Sequence, residues 1–376
     1  MRISQELIDP SGHWQLHGAP VEDAGLVLFF GGRALLDDPA IFRQIRQRHP
    51  AAILMGCSTA GEICGTQVTD DTVVATAVHF EHTRLQLART AVSDAGDSRN
   101  AGRRLAESLD ADGLAHVFVL SDGLHVNGTE LVAGLRAGLP AGVVSTGGLS
   151  ADGARFGRTL VSADGPPTEG CIAALGMYGE RLRVGFGSLG GWDPFGPERL
   201  ITRSSGNVLY ELDGESALAL YKRYLGEHAA GLPAAGLLFP LTLRSAEHDQ
   251  PVVRTILGVN ETEQSLTFAG DMPEGAYARL MKANFERLID GAIGAAKISQ
   301  SLSGAPPQLA ILISCVGRKL VLKQRIEEEV EGVRDVLGKD AVLAGFYSYG
   351  EISPHTPSAK CELHNQTMTI TTLSEV

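Results

Sequence analysis

No apolar run in this chain approaches the ~18 residues that a membrane-spanning helix requires, and no run of Lys or Arg interrupts its acidic balance. The formal net charge is −12, from 32 basic and 44 acidic residues, which argues against nucleic acid or an anionic membrane surface as a main partner. The five cysteines (Cys57, Cys64, Cys171, Cys315, Cys361) include no CxxC pair and read as reduced thiols. Met1-Arg2-Ile3-Ser4-Gln5-Glu6 lacks the apolar core of a signal peptide, so a cytoplasmic protein is expected. There is no phosphate loop of the G-x-x-x-x-G-K-S/T type, no H-E-x-x-H and no Cys/His cluster with zinc spacing. Gly185 to Gly190 fits G-x-G-x-x-G but runs into Gly191-Trp192-Asp193-Pro194 instead of opening a helix, so it fails the dinucleotide context.

What the chain does have is glycine, 45 residues of it, and a phrase written twice. Ala52 to Ile63 reads A-I-L-M-G-C-S-T-A-G-E-I, and Ala341 to Ile352 reads A-V-L-A-G-F-Y-S-Y-G-E-I. Each is a short apolar strand followed by a glycine-punctuated loop with one glutamate. The repeat extends backwards. Gly25–Phe30 and Leu309–Ser314 are continuous apolar runs of strand length, followed by Gly32-Arg33 and Gly317-Arg318 and then by a helix. Asp38-Pro39 supplies an N-cap and a first-turn proline for the first helix. A further unit runs from a helix at Asp97–Leu109 through a strand at His116–Leu120 and a helix at Thr129–Ala137 to a strand at Gly142–Ser145. The spacing also predicts a hairpin over Thr72–Phe80 and Arg84–Thr90, a long helix from Pro273 to about Leu302, and one helix from Leu320 to about Leu337. The expected fold is α/β, with mixed sheets and internally duplicated βαβ units in two domains, 1–205 and 206–376.

In parallel βαβ units, ligands gather beyond the carboxyl ends of the strands. The repeated loops lie on that edge, which makes Cys57, Ser58, Thr59 and Glu62 of the first, and Tyr347, Ser348, Tyr349 and Glu351 of the second, candidate ligand-binding residues. Asp122 and His125 follow another strand on the same edge. The two glutamates could meet a cation or act as an acid/base pair; equally, each could accept backbone N–H bonds and fix its own loop. The unlike residues around them suit one asymmetric pocket better than two active sites. G-x-S-x-G is absent and no histidine lies near Ser58 in sequence, so a nucleophilic enzyme has little support. His125, His355 and His364 sit in or beside these loops and are candidate axial ligands if a haem binds.

The ordered phrases G-C-S-T-A-G-E-I at Gly56, L-S-D-G-L at Leu120, S-T-G-G-L at Ser145, N-V-L-Y-E-L-D-G-E-S-A-L-A-L-Y-K-R-Y-L at Asn207, G-D-M-P-E-G-A at Gly270, G-F-Y-S-Y-G-E-I at Gly345 and H-N-Q-T-M-T at His364 span nearly the whole chain. Together they resemble the FIST family of sensory signal-transduction proteins. The resemblance implies an N-terminal and a C-terminal FIST domain, a sensory role and a small ligand. For the stand-alone branch it implies haem, nitric-oxide sensing, and a partner histidine kinase or cyclic-di-GMP enzyme. The alternatives are an amino-acid or other small-molecule receptor without haem and, with less support, an enzyme using Glu62 and Glu351. A symmetric dimer is the ordinary expectation for the assembly.

Overall fold

The computed structural model describes residues 1–245, 250–356 and 358–376. Its body consists of three six-stranded sheets built on one plan. Each has a central parallel pair joined through helical crossover chain: Leu26–Gly32 with Ile53–Thr59, Leu114–Ser121 with Val144–Leu149, and Leu309–Cys315 with Val342–Ser348. An antiparallel strand lies outside the first member of each pair: Val73–His79, Cys171–Tyr178 and Met368–Glu375. The mixed α/β class is as expected, and the three strand–helix–strand units legible in the sequence are all present.

The strand that follows each pair crosses to another sheet. Glu62–Cys64, from the first unit, pairs beside Val342–Ser348 of the third. Gly350–Pro354, from the third, pairs beside Val144–Leu149 of the second. Val161–Ala163, after the second, pairs beside Ile53–Thr59 of the first. The exchange closes into a ring, so each sheet carries a strand from its neighbour.

The parallel strands are buried on both faces, which is why they read as unbroken apolar runs. Alternate residues divide between two layers. Phe30, Met55, Phe118, Leu120, Ile311, Ile313 and Phe346 point into a core shared by the three sheets, where the rings of Phe30 and Phe346 lie 4.7 Å apart. Phe29 and Leu54 face outward onto Ile41 and Ile45 of the helix Pro39–Arg48. Val117 and Val119 likewise face the helices Ser98–Glu107 and Gly128–Gly138, and Leu312 faces Phe285–Ser303 and Ile326–Leu337. Asp38 caps the first of these helices through the Ala40 N–H, with Pro39 at its first position.

One glycine in each unit shows how closely the paired strands approach. A Cβ on Gly56, Gly147 or Gly345 would stand 2.2, 1.9 or 1.9 Å from the carbonyl oxygen of Phe29, Val119 or Leu312, the residue opposite it in the parallel pair. Substitution of Gly345 by alanine is expected to cost about 1–3 kcal/mol as the strands are forced apart. Urea unfolding should show a lower midpoint for the variant, and an unchanged midpoint would mean that the backbones yield freely.

A smaller lobe, Asp193–Lys282, has its own core around Leu209, Leu218, Tyr221, Phe268 and Leu280. Residue 205 is the last of its long bent strand Asp193–Ser205. The lobe rests on the carboxyl-end edge of the body. Asn127 Nδ2 donates to Asp271 Oδ1 (2.8 Å), Gln366 Nε2 to the Leu237 carbonyl (3.1 Å) and Arg254 Nη1 to the Leu363 carbonyl (3.0 Å). No helix among the described residues is long and apolar enough to cross a membrane.

Three local expectations are corrected. Val73–His79 and Arg84–Ala91 are strands, but they join different sheets, because Arg2–Ile8 and Leu26–Gly32 already occupy both edges of the first. Tyr277–Lys282 is a strand, and the helix begins only at Phe285 with Asn284 as its cap. Ala276, Ala278 and Leu280 are all buried, so a period of two was concealed within spacings that also suit a helix. The helix expected from Leu320 starts instead at Val316 and breaks at Lys323, whose φ is +50°.

Candidate functional site

The two repeated glutamates occupy equivalent settings. Glu62 Oε1 accepts from Thr59 Oγ1, and its Oε2 accepts from the Thr72 N–H (3.1 Å) and Oγ1 (2.9 Å). Glu351 Oε1 accepts from Ser348 Oγ (2.5 Å), and its Oε2 accepts from the Thr367 N–H (3.3 Å) and Oγ1 (2.9 Å). In both, a hydroxyl three residues earlier and a threonine from a neighbouring segment hold a buried carboxyl group. Burial pushes Glu62 up to about 7 and Glu351 up to about 8. Of the two roles open from sequence, the hydrogen bonds made here are those of loop fixation.

The third unit's counterpart is diverged. Aligned on Gly147, Ser150 takes the hydroxyl position and Gly153 the glutamate position. The Ser150 hydroxyl is buried and has no hydrogen-bond partner. Asp122 does similar work one strand earlier: Oδ1 accepts from the N–H groups of Leu124 and His125 (both 2.8 Å), and Oδ2 accepts from Gly170 N–H (2.9 Å).

The other candidates are also tied into the body. Cys57 lies in the shared core, where burial raises its thiol well above 9.0. Ser58 Oγ accepts from Leu160 N–H (2.9 Å). Tyr347 donates to Glu329 Oε1 (2.8 Å). Tyr349 donates to Asp152 and stacks on Phe156 with ring centroids 4.4 Å apart. The two G-E-I loops do meet: Ala60 N–H donates to the Tyr347 carbonyl and Tyr347 N–H to the Gly61 carbonyl, both at 2.8 Å.

A cavity of about 600 Å³ opens between the lobe and this edge. Phe156 and Leu320 of the body and Leu232, Pro233, Leu237, Leu238, Ile256 and Leu257 of the lobe form its wall, with Arg155 its single charge. None of the sequence candidates lines it; Tyr349 supports it from behind through Phe156. A smaller cavity of about 120 Å³ lies on the other side of Leu257, with Tyr349, Leu124 and Asn127 in its wall. A pocket between the two domains was expected, but no residue of the lobe was among the sequence candidates. Its one sequence signal is the apolar, proline-punctuated run Gly231-Leu232-Pro233-Ala234-Ala235-Gly236-Leu237-Leu238-Phe239-Pro240.

A haem iron needs an axial His, Cys, Met or Tyr in an apolar pocket, and the wall of this cavity contains none of these. His364 is buried, its Nε2 lies 2.8 Å from the Ser353 carbonyl, and burial pushes it down to about 4. His355 packs against His364, with ring centroids 5.5 Å apart. His125 Nδ1 lies 3.2 Å from Asp122 Oδ1. The three candidate histidines and this apolar space therefore do not coincide, and the described residues of its wall do not fit a haem.

The arrangement is that of a binding protein: a ring of three α/β sheets whose loop edge is capped by a lobe over an apolar cavity. The chain belongs to the FIST family, whose domains serve sensory ligand binding in signalling. The FIST N domain matches residues 25–215 and the FIST C domain residues 217–354. An uncharacterized protein of Methanocaldococcus jannaschii is 24% identical over 334 residues, covering 83% of this chain. The chain spans only 62% of that relative's length. A crystal structure of cyanuric acid hydrolase from A. caulinodans aligns at 12% identity over 78% of this chain and 99% of that one. Its TM-score is 0.19, and at that level the likeness carries no argument.

Proposed function

We propose that this protein is a small-molecule sensor whose ligand occupies the cavity between lobe and body, and that occupancy is passed to a signalling partner such as a histidine kinase or a cyclic-di-GMP enzyme. The observation that carries this reading is the cavity's position. It lies beyond the carboxyl ends of the parallel strands, where open α/β folds bind ligands, and both bodies contribute walls. A ligand that touches both has differential affinity for closed and open arrangements of the lobe, which is what a ligand needs to shift a conformational population. The wall offers no nucleophile–base pair, so binding without turnover is the better-supported role.

The neutral fluorophore N-phenyl-1-naphthylamine serves as a probe of the apolar space. It is expected to brighten on binding the full chain. Leu320→Trp and Leu257→Trp, at half-buried wall positions, should weaken it by about ten-fold or more, equivalent to ~1.4 kcal/mol, with little change in thermal midpoint. Equal affinity in the wild type and both variants would overturn the cavity as the binding site.

A further inference from the structure

The apolar cavity does not end at its own wall. At Ala154 and Leu320 it adjoins a second cavity of about 420 Å³, which shares both residues and is lined in addition by Asp70, Lys319 and Lys323. The two cavities together have one apolar arm and one polar arm. Their walls hold three cations, Arg155, Lys319 and Lys323, and one carboxylate, Asp70. In a chain of net charge −12 this local excess of positive charge runs against the rest of the molecule.

The three cations are not equally committed. Lys319 donates to the Ala60 carbonyl (2.8 Å) and pairs with Asp70, so its charge is largely balanced by the one acid among the described residues of the cleft. Arg155 has its Nε 3.9 Å from Asp152 Oδ2. Asp152 is already occupied by the hydroxyl of Tyr349 and the N–H groups of Gly157 and Arg158. Among the described residues, no carboxylate lies within ion-pair distance of Lys323. Lys323 also holds φ at +50°, a backbone state that is strained for a non-glycine residue and is concentrated at ligand-binding sites. That kink ends the helix Val316–Leu322 at the edge of the polar arm.

Resting on the sensor reading above, we propose that the ligand is an amphipathic monoanion: an aliphatic chain in the arm lined by Leu237, Leu238, Ile256 and Leu257, and a carboxylate at the junction between Arg155 and Lys323. The guanidinium can meet a carboxylate with two parallel N–H bonds, and Lys323 adds a second positive charge. Each further methylene buries more apolar surface, so chain length sets affinity, while the head group sets orientation.

The test is displacement of bound N-phenyl-1-naphthylamine from the full chain by decanoate, decanol and inorganic phosphate. Decanoate is expected to compete about ten-fold more strongly than decanol, as ~1.4 kcal/mol of charge recognition requires, and phosphate should not compete. In the Arg155→Gln/Lys323→Gln double variant, decanoate and decanol, each referred to that variant's own affinity for the probe, should become nearly equal. Equal competition in the wild type, or a decanoate preference that survives the double variant, overturns the proposal and leaves the apolar sensor site standing. A probe whose binding is insensitive to Leu320→Trp overturns both. Displacement by phosphate would mean that the polar arm recognises a free anion and would also overturn it.

Discussion

Replacing Arg318 by methionine is expected to destabilise the protein by roughly 3–5 kcal/mol, the usual cost of removing one partner from a buried ion pair. Arg318 is fully buried, one turn beyond the strand Leu309–Cys315. Its Nε and Nη2 donate to Glu329 Oε2 (3.1 and 2.7 Å), Nη1 donates to the Gly190 carbonyl (2.8 Å) and Nη2 to the Leu288 carbonyl (2.6 Å). Gly190 and Leu288 flank the two points at which the lobe leaves and re-enters the body. One side chain therefore ties the third unit to both crossings of the lobe. Methionine fills similar volume but takes away the positive charge facing Glu329 and the side-chain donors to the two carbonyls. Ser314 Oγ and Tyr347 OH still donate to Glu329 Oε1 (3.0 and 2.8 Å), which softens the loss without neutralising it. Changing Glu329 to glutamine as well should recover part of the stability, because the stranded charge is gone. Urea unfolding of wild type, single and double variants measures this. A single variant within about 1 kcal/mol of wild type would show that water reaches the site, as it does for exposed pairs.

The same residue shows how far the sequence could be read. Arg318 stood out through its echo of Gly32-Arg33, but its partner could not be found that way, because Glu329 sits on a later helix face with no distinguishing neighbour. The parallel strands were legible because burial on both faces leaves an uninterrupted apolar run, and Asp38-Pro39 announced its helix by chemistry local to the turn. The two glutamate loops were legible as a pair, and loop fixation was one of the roles open to them. Their threonine partners were not legible, since Thr72 lies ten residues after Glu62 and Thr367 sixteen after Glu351. The middle unit was legible as strand, helix and strand, but its loop went unread as a copy of the motif because Gly153 replaces the glutamate and leaves only Ser150. The cyclic strand exchange is a long-range pairing choice that no local pattern encodes. Nor does local pattern show that a lobe spliced in at Asp193 folds back over the loop edge and supplies most of the cavity wall.

Stability is expected to fall as pH rises from about 6.5 to about 8. Glu62 and Glu351 titrate near 7 and 8 in the folded chain against 4.5 when unfolded, because burial disfavours their charged forms. Between those limits the native state holds protons that the unfolded chain has released, so each unit of pH lowers stability. Both contributions are complete below pH 4.5 and lost once the folded values are passed. The buried imidazoles of His116 and His364 act in the opposite sense. Burial pushes each to about 4 from 6.5, so they add stability as pH rises towards 6.5 and nothing beyond it. His355, lowered by burial as well, acts in the same sense, so below pH 6.5 the imidazoles oppose the glutamates; above 6.5 only the glutamates act. The remaining intervals, half a unit for Glu62 and one and a half for Glu351, amount to roughly 3 kcal/mol at 1.36 kcal/mol per unit. The buried thiols, raised from 9.0, enter only at higher pH. Ser348 Oγ has a second acceptor in the Ser314 carbonyl (3.3 Å), so when Glu351 is protonated the Ser348 hydroxyl can turn to that carbonyl and accept from the acid in place of donating to it. Thr59 Oγ1, which accepts from Gly61 N–H (3.4 Å), is better placed to donate to an ionised Glu62. Glu351→Gln should therefore remove more of the alkaline decline than Glu62→Gln, and the double variant should be flat from pH 6.5 to 8.5 in urea unfolding. A wild-type profile already flat over that range would mean that both carboxyls ionise in the folded chain at little cost, and that the loops hold them as ordinary carboxylates.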